Sequence, residues 1–214
     1  MYKQIFLKRG KEESLKRFHP WIFSGAIHHM DEGIEEGETV RVITAAGEFI
    51  AVGHYQIGSI AVRVLSFEDI EINTDFWCER LQSALDVRIG VGIADSPTNN
   101  TYRLVHGEGD YLPGLVIDCY GSTAVMQAHS VGMHVCRNEI CQALVQVMGD
   151  RIANVYYKSE TTLPYKADLH QENGFLVGGD ASNVAMENGL KFHIDWLRGQ
   201  KTGFFVDQRE NRSL

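Results

Sequence analysis

The chain has 214 residues, enough for one large or two small domains, and its 44% apolar and 22% charged residues are ordinary fractions for a soluble globular protein. No run of about 18 apolar residues is present. The N-terminus also lacks the apolar core of a secretory signal, so we expect a cytoplasmic protein without a membrane span. Four cysteines and nine histidines show no ligand spacing, which argues against a metal site and favours reduced cysteines that act as small apolar residues.

The net charge of −8 is unevenly distributed along the chain. Residues 1–23 hold six basic and two acidic side chains, a net charge of +4, and residues 191–214 hold five basic and three acidic ones, a net charge of +2. The residues between them therefore carry −14. A polyanion would be attracted to the two ends and repelled elsewhere, which favours a defined docking site over indiscriminate binding. Ordinary solvated lysines remain the alternative explanation.

The first 70 or so residues are predicted to form a compact β unit. Short apolar runs predict strands at residues 5–7, 21–23, 39–44, 48–53 and 60–65. Gly47 is available for positive φ in a hairpin turn between the third and fourth of these strands. A single helical turn at residues 14–18 should end at His19, because the residue before a proline disfavours the α region. So many short strands in so few residues suggest a small barrel, since closure removes exposed strand edges.

A helix and a second unit follow. An acidic stretch at residues 67–73 leads to a helix that Thr74 or Asp75 is expected to cap and that should end before Gly90. From about residue 102 the pattern predicts strands at residues 103–105, 115–118, 123–128, 152–157 and 175–177, with a helix at residues 131–148. Asn188-Gly189 predicts a hairpin turn between two further strands. This order favours a small α+β layer with the helix against one face of a sheet.

Residues 106–114 form a glycine-rich stretch that invites a phosphate-loop interpretation. The spacing matches neither the dinucleotide fingerprint nor the P-loop, and Glu108 and Asp110 would repel phosphate. We therefore expect a structural turn between strands, in which Pro113-Gly114 suits a type II turn.

Residues 199–212 combine two glycines around Gln200, Lys201 and Thr202 with two aromatic residues and a polar run. Asp207 is a candidate N-cap for a helix that begins there. The run after it has no apolar periodicity and no C-cap, and so short a helix needs tertiary packing. We expect residues 198–214 to be the start of a further domain.

Three segments taken together, residues 9–26, 102–114 and 199–212, resemble one family in order and over nearly the whole chain. That family is the bacterial 23S ribosomal RNA large-subunit methyltransferase I type, whose members transfer methyl from S-adenosylmethionine to C5 of cytosine. The resemblance implies an α+β protein in four segments. These are an RNA-binding, PUA-like β-barrel at 1–72, a helical linker at 73–101, a central α+β domain with its terminal hairpin at 102–197, and the start of the methyltransferase domain at 198–214. A Rossmann-like catalytic domain is expected beyond the chain end.

Cytosine-C5 methylation needs a thiolate that adds to C6, a methyl donor that faces C5, and a base that removes the C5 proton. The target base must also leave its stack. None of the four cysteines lies in the family's catalytic motif, and Cys119 has no histidine or lysine beside it in sequence to lower its pKa. We therefore expect no catalytic residue in this chain, which should be inactive alone.

The resemblance places residues 203–212 beside the pocket for donor and target base. Gln208 and Phe205 are the expected contacts to S-adenosylmethionine, although Phe204 and Phe205 could equally be packing residues. The side chains expected to bind ribosomal RNA are Lys8, Arg9, Lys11, Lys16, Arg17, His19, Trp21, Lys201, Arg209 and Arg212. Trp21 could instead belong to the barrel core, and Gln208, Arg209 and Arg212 could form a solvated helix face.

The rival interpretation is a free-standing RNA-binding or ribosome-assembly protein with a PUA-like barrel and no enzymatic activity. A small-molecule enzyme built on the central unit has no side-chain constellation to support it. The target nucleotide and the oligomeric state cannot be deduced from the sequence.

Overall fold

The N-terminal unit of the computed structural model, which describes residues 2–164, 169, 172–179 and 183–214, is a six-stranded mixed sheet. Its strands are β1 (Lys3–Leu7), β2 (Trp21–Phe23), β3 (Ile27–Met30), β4 (Thr39–Ile43), β5 (Phe49–Tyr55) and β6 (Ile60–Ser66). They lie in the order β2-β6-β5-β4-β1-β3, with β1 parallel to β4 and every other pair antiparallel. The strands predicted from the sequence are confirmed, and β3 is an additional edge strand.

One apolar cluster holds this unit together. Its buried residues are Ile5, Leu7, Leu15, Ile22, Val40, Val42, Ala51, Val62 and Val64, and Ile27 of β3 packs partly buried against them. In β1 and β4 they recur at every second position, because alternate side chains of a strand point to the same face. All six strands thus contribute to one core. Among the described residues β2 and β3 each pair on one side only, so hydrogen bonds do not close this unit, which we call the barrel, as the predicted small barrel would require. The predicted helical turn is a 3-10 turn at Leu15–Arg17.

The second unit is a five-stranded sheet with the order β11-β10-β9-β8-β7. Its strands are β7 (Thr101–His106), β8 (Leu115–Tyr120), β9 (Thr123–Ala128), β10 (Asn154–Tyr157) and β11 (Gly174–Val177). The central strand β9 is buried at every position, because both faces of the sheet are covered. Helices cover one face, and the hairpin of β12 (Val184–Glu187) and β13 (Leu190–His193) lies against the other.

The helices are α1 (Thr74–Gly90), α2 (Val131–Val135), α3 (Arg137–Met148) and the short α4 (Arg209–Arg212). The predicted cap of α1 at Thr74 or Asp75 is wrong, because the Asn73 side chain accepts the hydrogen bond from the Phe76 amide at 3.0 Å. The single helix predicted at residues 131–148 is interrupted at Cys136, which has φ −82° and ψ 5°.

Helix α1 is part of a domain core, although the sequence assigns its residues to a linker. Trp77, Leu81 and Leu85 are buried in the same cluster as Ile140 and Leu144 of α3 and the inner face of the sheet. Residues 73–101 therefore contribute to the packing of the second unit as well as connecting it to the barrel.

The two units pack closely where α2 meets β5. A Cβ atom on Gly132 would lie 2.2 Å from Cγ of His54, so the α2 backbone approaches the His54 side chain to a distance that only glycine permits. His54 is fully buried, its ring lies 6.2 Å from that of Trp77, and desolvation together with nearby Arg63 lowers its pKa to about 4. This junction fixes the barrel against the second sheet.

Candidate nucleic-acid interface

The basic segment, which we define as residues 8–17, connects β1 to the chain preceding β2 and presents five cations to solvent. Lys8, Arg9, Lys11, Lys16 and Arg17 are all exposed, whereas Leu15 within the segment is buried in the barrel core. Leu15 thus anchors the 3-10 turn and leaves its neighbours outside. The only ion pair of these cations within the described part of the chain joins Lys16 to the equally exposed Glu13 at 2.8 Å, and a pair of this kind contributes little.

Aromatic rings lie beside the basic segment. His19, Trp21 and Phe23 form a cluster with ring-centroid separations of 5.9, 6.3 and 6.5 Å. Phe23 is 49% exposed and Phe18 is 71% exposed, which is unusual for side chains of this size. Apolar spacing alone does not indicate that these two phenylalanines face solvent. Base stacking in RNA-binding proteins uses rings of this kind.

Trp21 lies outside the barrel core, so the core interpretation of this residue is wrong. It is half-buried, and its Nε1 donates a 2.9 Å hydrogen bond to Glu108 of the second unit. With Lys11 and Phe23 it lines a cleft of about 290 Å³, which we call the Trp21 cleft. Trp21 therefore links the two units and also contributes a ring edge to the surface beside the basic segment.

The glycine-rich stretch at residues 106–114 has a structural role, as expected from its spacing. It contains a 3-10 turn at Gly107–Asp110 and places Gly114 at φ 87°, which a type II turn requires of its third residue. Asp110 is nearly buried and forms a two-pronged ion pair with Arg88 of α1. It also accepts a hydrogen bond from the His106 amide at 2.6 Å. The loop is thus fastened to α1.

The turn at residues 199–203 is fastened to the outer face of the second sheet. Thr202 is buried and its hydroxyl donates to Asp118 at 2.5 Å, while Arg103 donates two further bonds to the same carboxylate at 2.8 and 2.9 Å. These bonds raise the pKa of Arg103, because they stabilise its charged form. Gly203 has φ 110°, and a Cβ there would lie 2.5 Å from Cα of Trp196. Lys158 donates to the carbonyl of Gly199 at 2.6 Å.

The helix start after this turn differs from the prediction. Asp207 lies within a 3-10 turn at Val206–Gln208, and α4 begins at Arg209 with Gln208 in the N-cap position and no side-chain cap. The prediction of Asp207 as N-cap is therefore wrong. Its carboxylate instead accepts a hydrogen bond from the side-chain amide of Gln208 at 3.1 Å, which lowers the pKa of Asp207. Both side chains are exposed.

The two arginines of this segment are held by one buried carboxylate. Glu187 of β12 is 1% exposed and accepts two hydrogen bonds from Arg212, at 2.7 and 2.8 Å. Arg209 lies 3.7 Å from the same carboxylate and donates to the carbonyl of Thr101 at 2.6 Å. The guanidinium of Arg212 also lies 4.1 Å above the ring of Phe204. In this structure both arginines thus fasten the segment to the hairpin.

The aromatic pair divides into one packing and one exposed residue. Phe204 packs against Phe192 and Tyr120, with ring centroids 5.4 and 6.5 Å apart. Phe205 is 48% exposed, and the Lys201 ammonium lies 5.3 Å from its ring centroid. Phe205 and Lys201 are therefore accessible together, and Gln208 is also exposed.

None of the four cysteines has the environment of a nucleophile. Cys119 is buried, and desolvation raises its pKa to about 12 despite a hydrogen bond from Tyr102. Desolvation likewise raises the pKa of Cys136 to about 12 and that of Cys141 to about 11, and it raises the pKa of Cys78. A thiolate is thus disfavoured at each of them.

The residues that the structure describes contain no group of three or more histidine, cysteine, aspartate or glutamate side chains placed to hold a metal ion. Within the same part of the chain, every helix is too short or too polar to cross a bilayer.

Comparisons with known proteins agree with this architecture. Residues 5–67 match a family described as a PUA-like domain. Proteins called ribosomal RNA large subunit methyltransferase I are 40% identical over 215 residues in Vibrio parahaemolyticus and 37% identical over 217 residues in Photobacterium profundum. Each alignment covers 99% of this chain but only 53% or 54% of the relative, so the chain spans about half the length of these proteins.

Solved structures show the same fold. A putative SAM-dependent methyltransferase from Streptococcus mutans superposes with a TM-score of 0.79 at 23% identity, over 98% of this chain and 52% of that one. A putative methyltransferase complexed with SAH gives the same TM-score at 22% identity. The chain therefore has a PUA-like domain followed by a mixed α/β unit, and it has the fold of the matching half of these methyltransferases. Its homologues are named as ribosomal RNA large subunit methyltransferases.

Proposed function

We propose that this chain binds ribosomal RNA in the cytoplasm and positions it for S-adenosylmethionine-dependent methylation of cytosine C5 by a Rossmann-like domain that follows it. The observation that carries RNA binding is the basic segment, where five exposed cations adjoin exposed rings in a chain of net charge −8. Phosphate contacts supply affinity, and the rings stack unpaired bases. The homologues are named as methyltransferases and are about twice as long as this chain. Both observations favour part of a methyltransferase over a free-standing RNA-binding protein.

The chain's own part in the reaction is binding and orientation. S-adenosylmethionine supplies the methyl group when bound, and we propose that Phe205 offers it an apolar ring and Gln208 a polar amide. Both side chains are exposed, whereas cofactor sites enclose most of their ligand. Phe205 and Gln208 thus fit one wall of such a site, and we propose that the remaining contacts come from the following domain. The raised pKa values of Cys119, Cys136 and Cys141 disfavour their thiolates, so we propose that the nucleophile also comes from the following domain.

RNA binding is tested by the salt dependence of affinity. We expect the 214-residue chain to bind a 23S ribosomal RNA fragment in filter-binding titrations, with log K falling linearly with log of the salt concentration. Lys11→Gln and Arg17→Gln should each weaken binding and reduce the slope by about 0.7 if each neutralises one phosphate. Lys191→Gln, an equally exposed lysine on β13, is the matched control and should leave both unchanged. A slope that neither basic-segment variant alters would refute the proposed surface.

Methyl transfer is tested separately on a longer protein that carries this chain and the further residues present in its homologues. Incubated with labelled S-adenosylmethionine and 23S ribosomal RNA, it should produce 5-methylcytosine. Gln208→Ala should weaken S-adenosylmethionine binding, whereas Glu210→Gln, at an exposed residue of α4, should have less effect. RNA binding without any transfer would favour the free-standing RNA-binding protein instead.

A further inference from the structure

A second cleft lies on the barrel and is lined, like the Trp21 cleft, by residues of the basic segment. It has a volume of about 660 Å³, and its lining includes Phe6, Lys8, Arg9, His28 and His29 together with the turn at residues 44–47. We call it the His29 cleft. Its size is in the range of clefts that bind small ligands, and it is too large for a single side chain.

The His29 cleft has a stacking surface. The rings of Phe6 and His29, which are paired residues of β1 and β3, are stacked with centroids 4.2 Å apart and planes within 9° of each other. His29 is exposed, so its ring is accessible on a support formed by Phe6. The ring of His28 stands edge-on beside it at 5.1 Å. β3 is an edge strand of the sheet, so among the described residues it pairs with β1 alone.

The charge of the cleft selects an anion. Two of its lining residues, Lys8 and Arg9, are cationic, and none of the described lining residues is a carboxylate, although the chain as a whole carries −8. Arg9 forms no ion pair with any described residue. The Lys8 ammonium is held at the rim by a 2.9 Å hydrogen bond to the carbonyl of Gly25. It keeps two further N–H donors for a ligand.

The same residues connect this cleft to the rest of the basic surface. Lys8 and Arg9 line the His29 cleft, Lys11 lines the Trp21 cleft, and Gly25, the hydrogen-bond partner of Lys8, also lines the Trp21 cleft. Cations thus lie between two clefts that each contain aromatic rings. An unpaired nucleic-acid strand has this alternation of phosphates and bases, whereas a duplex keeps its bases stacked inside.

We propose that the His29 cleft binds one unpaired nucleotide of the RNA, with its base stacked on the His29 ring and its phosphate on Lys8 and Arg9. This inference rests on the proposed function and adds a position to it, since Phe6, His28 and His29 lie outside the basic segment. The strand then passes along residues 8–11 towards the Trp21 cleft.

Fluorescence anisotropy with the 214-residue chain and a short labelled single-stranded oligoadenylate tests the proposal. Loss of one base stack should raise Kd about tenfold in His29→Ala, and His29→Phe should restore affinity because it preserves a ring. The matched control is His193→Ala, which removes an exposed histidine from β13 and should leave Kd unchanged. Affinity for an RNA duplex of the same length should not change in His29→Ala, because its bases are not available for stacking.

The outcomes separate this proposal from the function on which it rests. If Lys11→Gln and Arg17→Gln weaken binding while His29→Ala does not, RNA binding stands and the His29 cleft is not a nucleotide site. If the wild-type chain binds no RNA, both fail. An equal loss for single strand and duplex in His29→Ala would also overturn the stacking role, and unchanged thermal unfolding of the variant would exclude misfolding as the cause.

Discussion

Replacing Thr202 with valine tests whether the turn at residues 199–203 is fastened through its hydroxyl group. Valine preserves the shape of the buried side chain but cannot donate a hydrogen bond to Asp118, which is fully buried. It also removes the Thr202 hydroxyl that lies 2.9 Å from the Tyr120 hydroxyl. A hydrogen bond to a charged group contributes about 1.5–3 kcal/mol. Because Asp118 keeps both bonds from Arg103, we expect the free energy of unfolding to fall by about 2 kcal/mol.

Urea denaturation and thermal unfolding measure this loss. For a chain of this size a change of about 2 kcal/mol lowers Tm by roughly 4–8 °C. Hydrogen exchange should also accelerate at the Gly203 amide, which donates to Gln200 within the turn. Thr202→Ser keeps the hydroxyl and should retain most of the stability. A valine variant as stable as wild type, or a serine variant that loses as much as valine, would refute the reasoning.

Three further predictions concern other parts of the fold. Gly132→Ala should destabilise by about 1–3 kcal/mol, because its Cβ would overlap His54, whereas Gly90→Ala, in a helix with open space around it, should be neutral or stabilising in the same unfolding assay. His54 has a pKa of about 4 in the folded state and 6.5 in the unfolded state, so between these pH values only the unfolded state binds the proton. The free energy of unfolding should therefore fall by about 3 kcal/mol as pH drops from 6.5 to 4, and this loss should be absent in His54→Gln. Glu187→Gln should remove the buried negative charge that pairs with Arg212, lower the free energy of unfolding by about 3 kcal/mol and speed amide exchange in α4. Glu210→Gln, at an exposed residue, should change neither quantity.

Structural elements that depend only on residues close together in the chain could be predicted from the sequence. The Asn188-Gly189 hairpin forms as expected, with φ values of 52° and 79°, because the turn chemistry lies in adjacent residues. Strand β3 could not be predicted because its two histidines interrupt the apolar pattern that indicates a strand. Its place at the sheet edge depends on pairing with β1, which is distant in sequence. The break at Cys136 was missed because the apolar spacing continues across it, whereas the close approach of His54 to Gly132 fixes α2 separately.

The candidate site shows the same division between local and distant causes. Exposure of the basic segment follows from its composition, since long cationic side chains stay in water unless they are paired. The contacts of Trp21 and Arg212 depend on Glu108 and Glu187, which are distant in sequence, so charge counting gives no indication of them. The stack of His29 on Phe6 likewise depends on the register of two strands.

The two positive ends of the chain therefore differ in what their charges do. Arg209 and Arg212 share the buried carboxylate of Glu187, and these ion pairs hold residues 204–212 against the hairpin. The cations of the basic segment are exposed and have no buried partner among the described residues, so their field extends into solvent. A polyanion that approaches a chain whose central residues carry −14 is thus attracted chiefly to the barrel, and residues 204–212 would be a fixed support for the proposed contacts of Phe205 and Gln208.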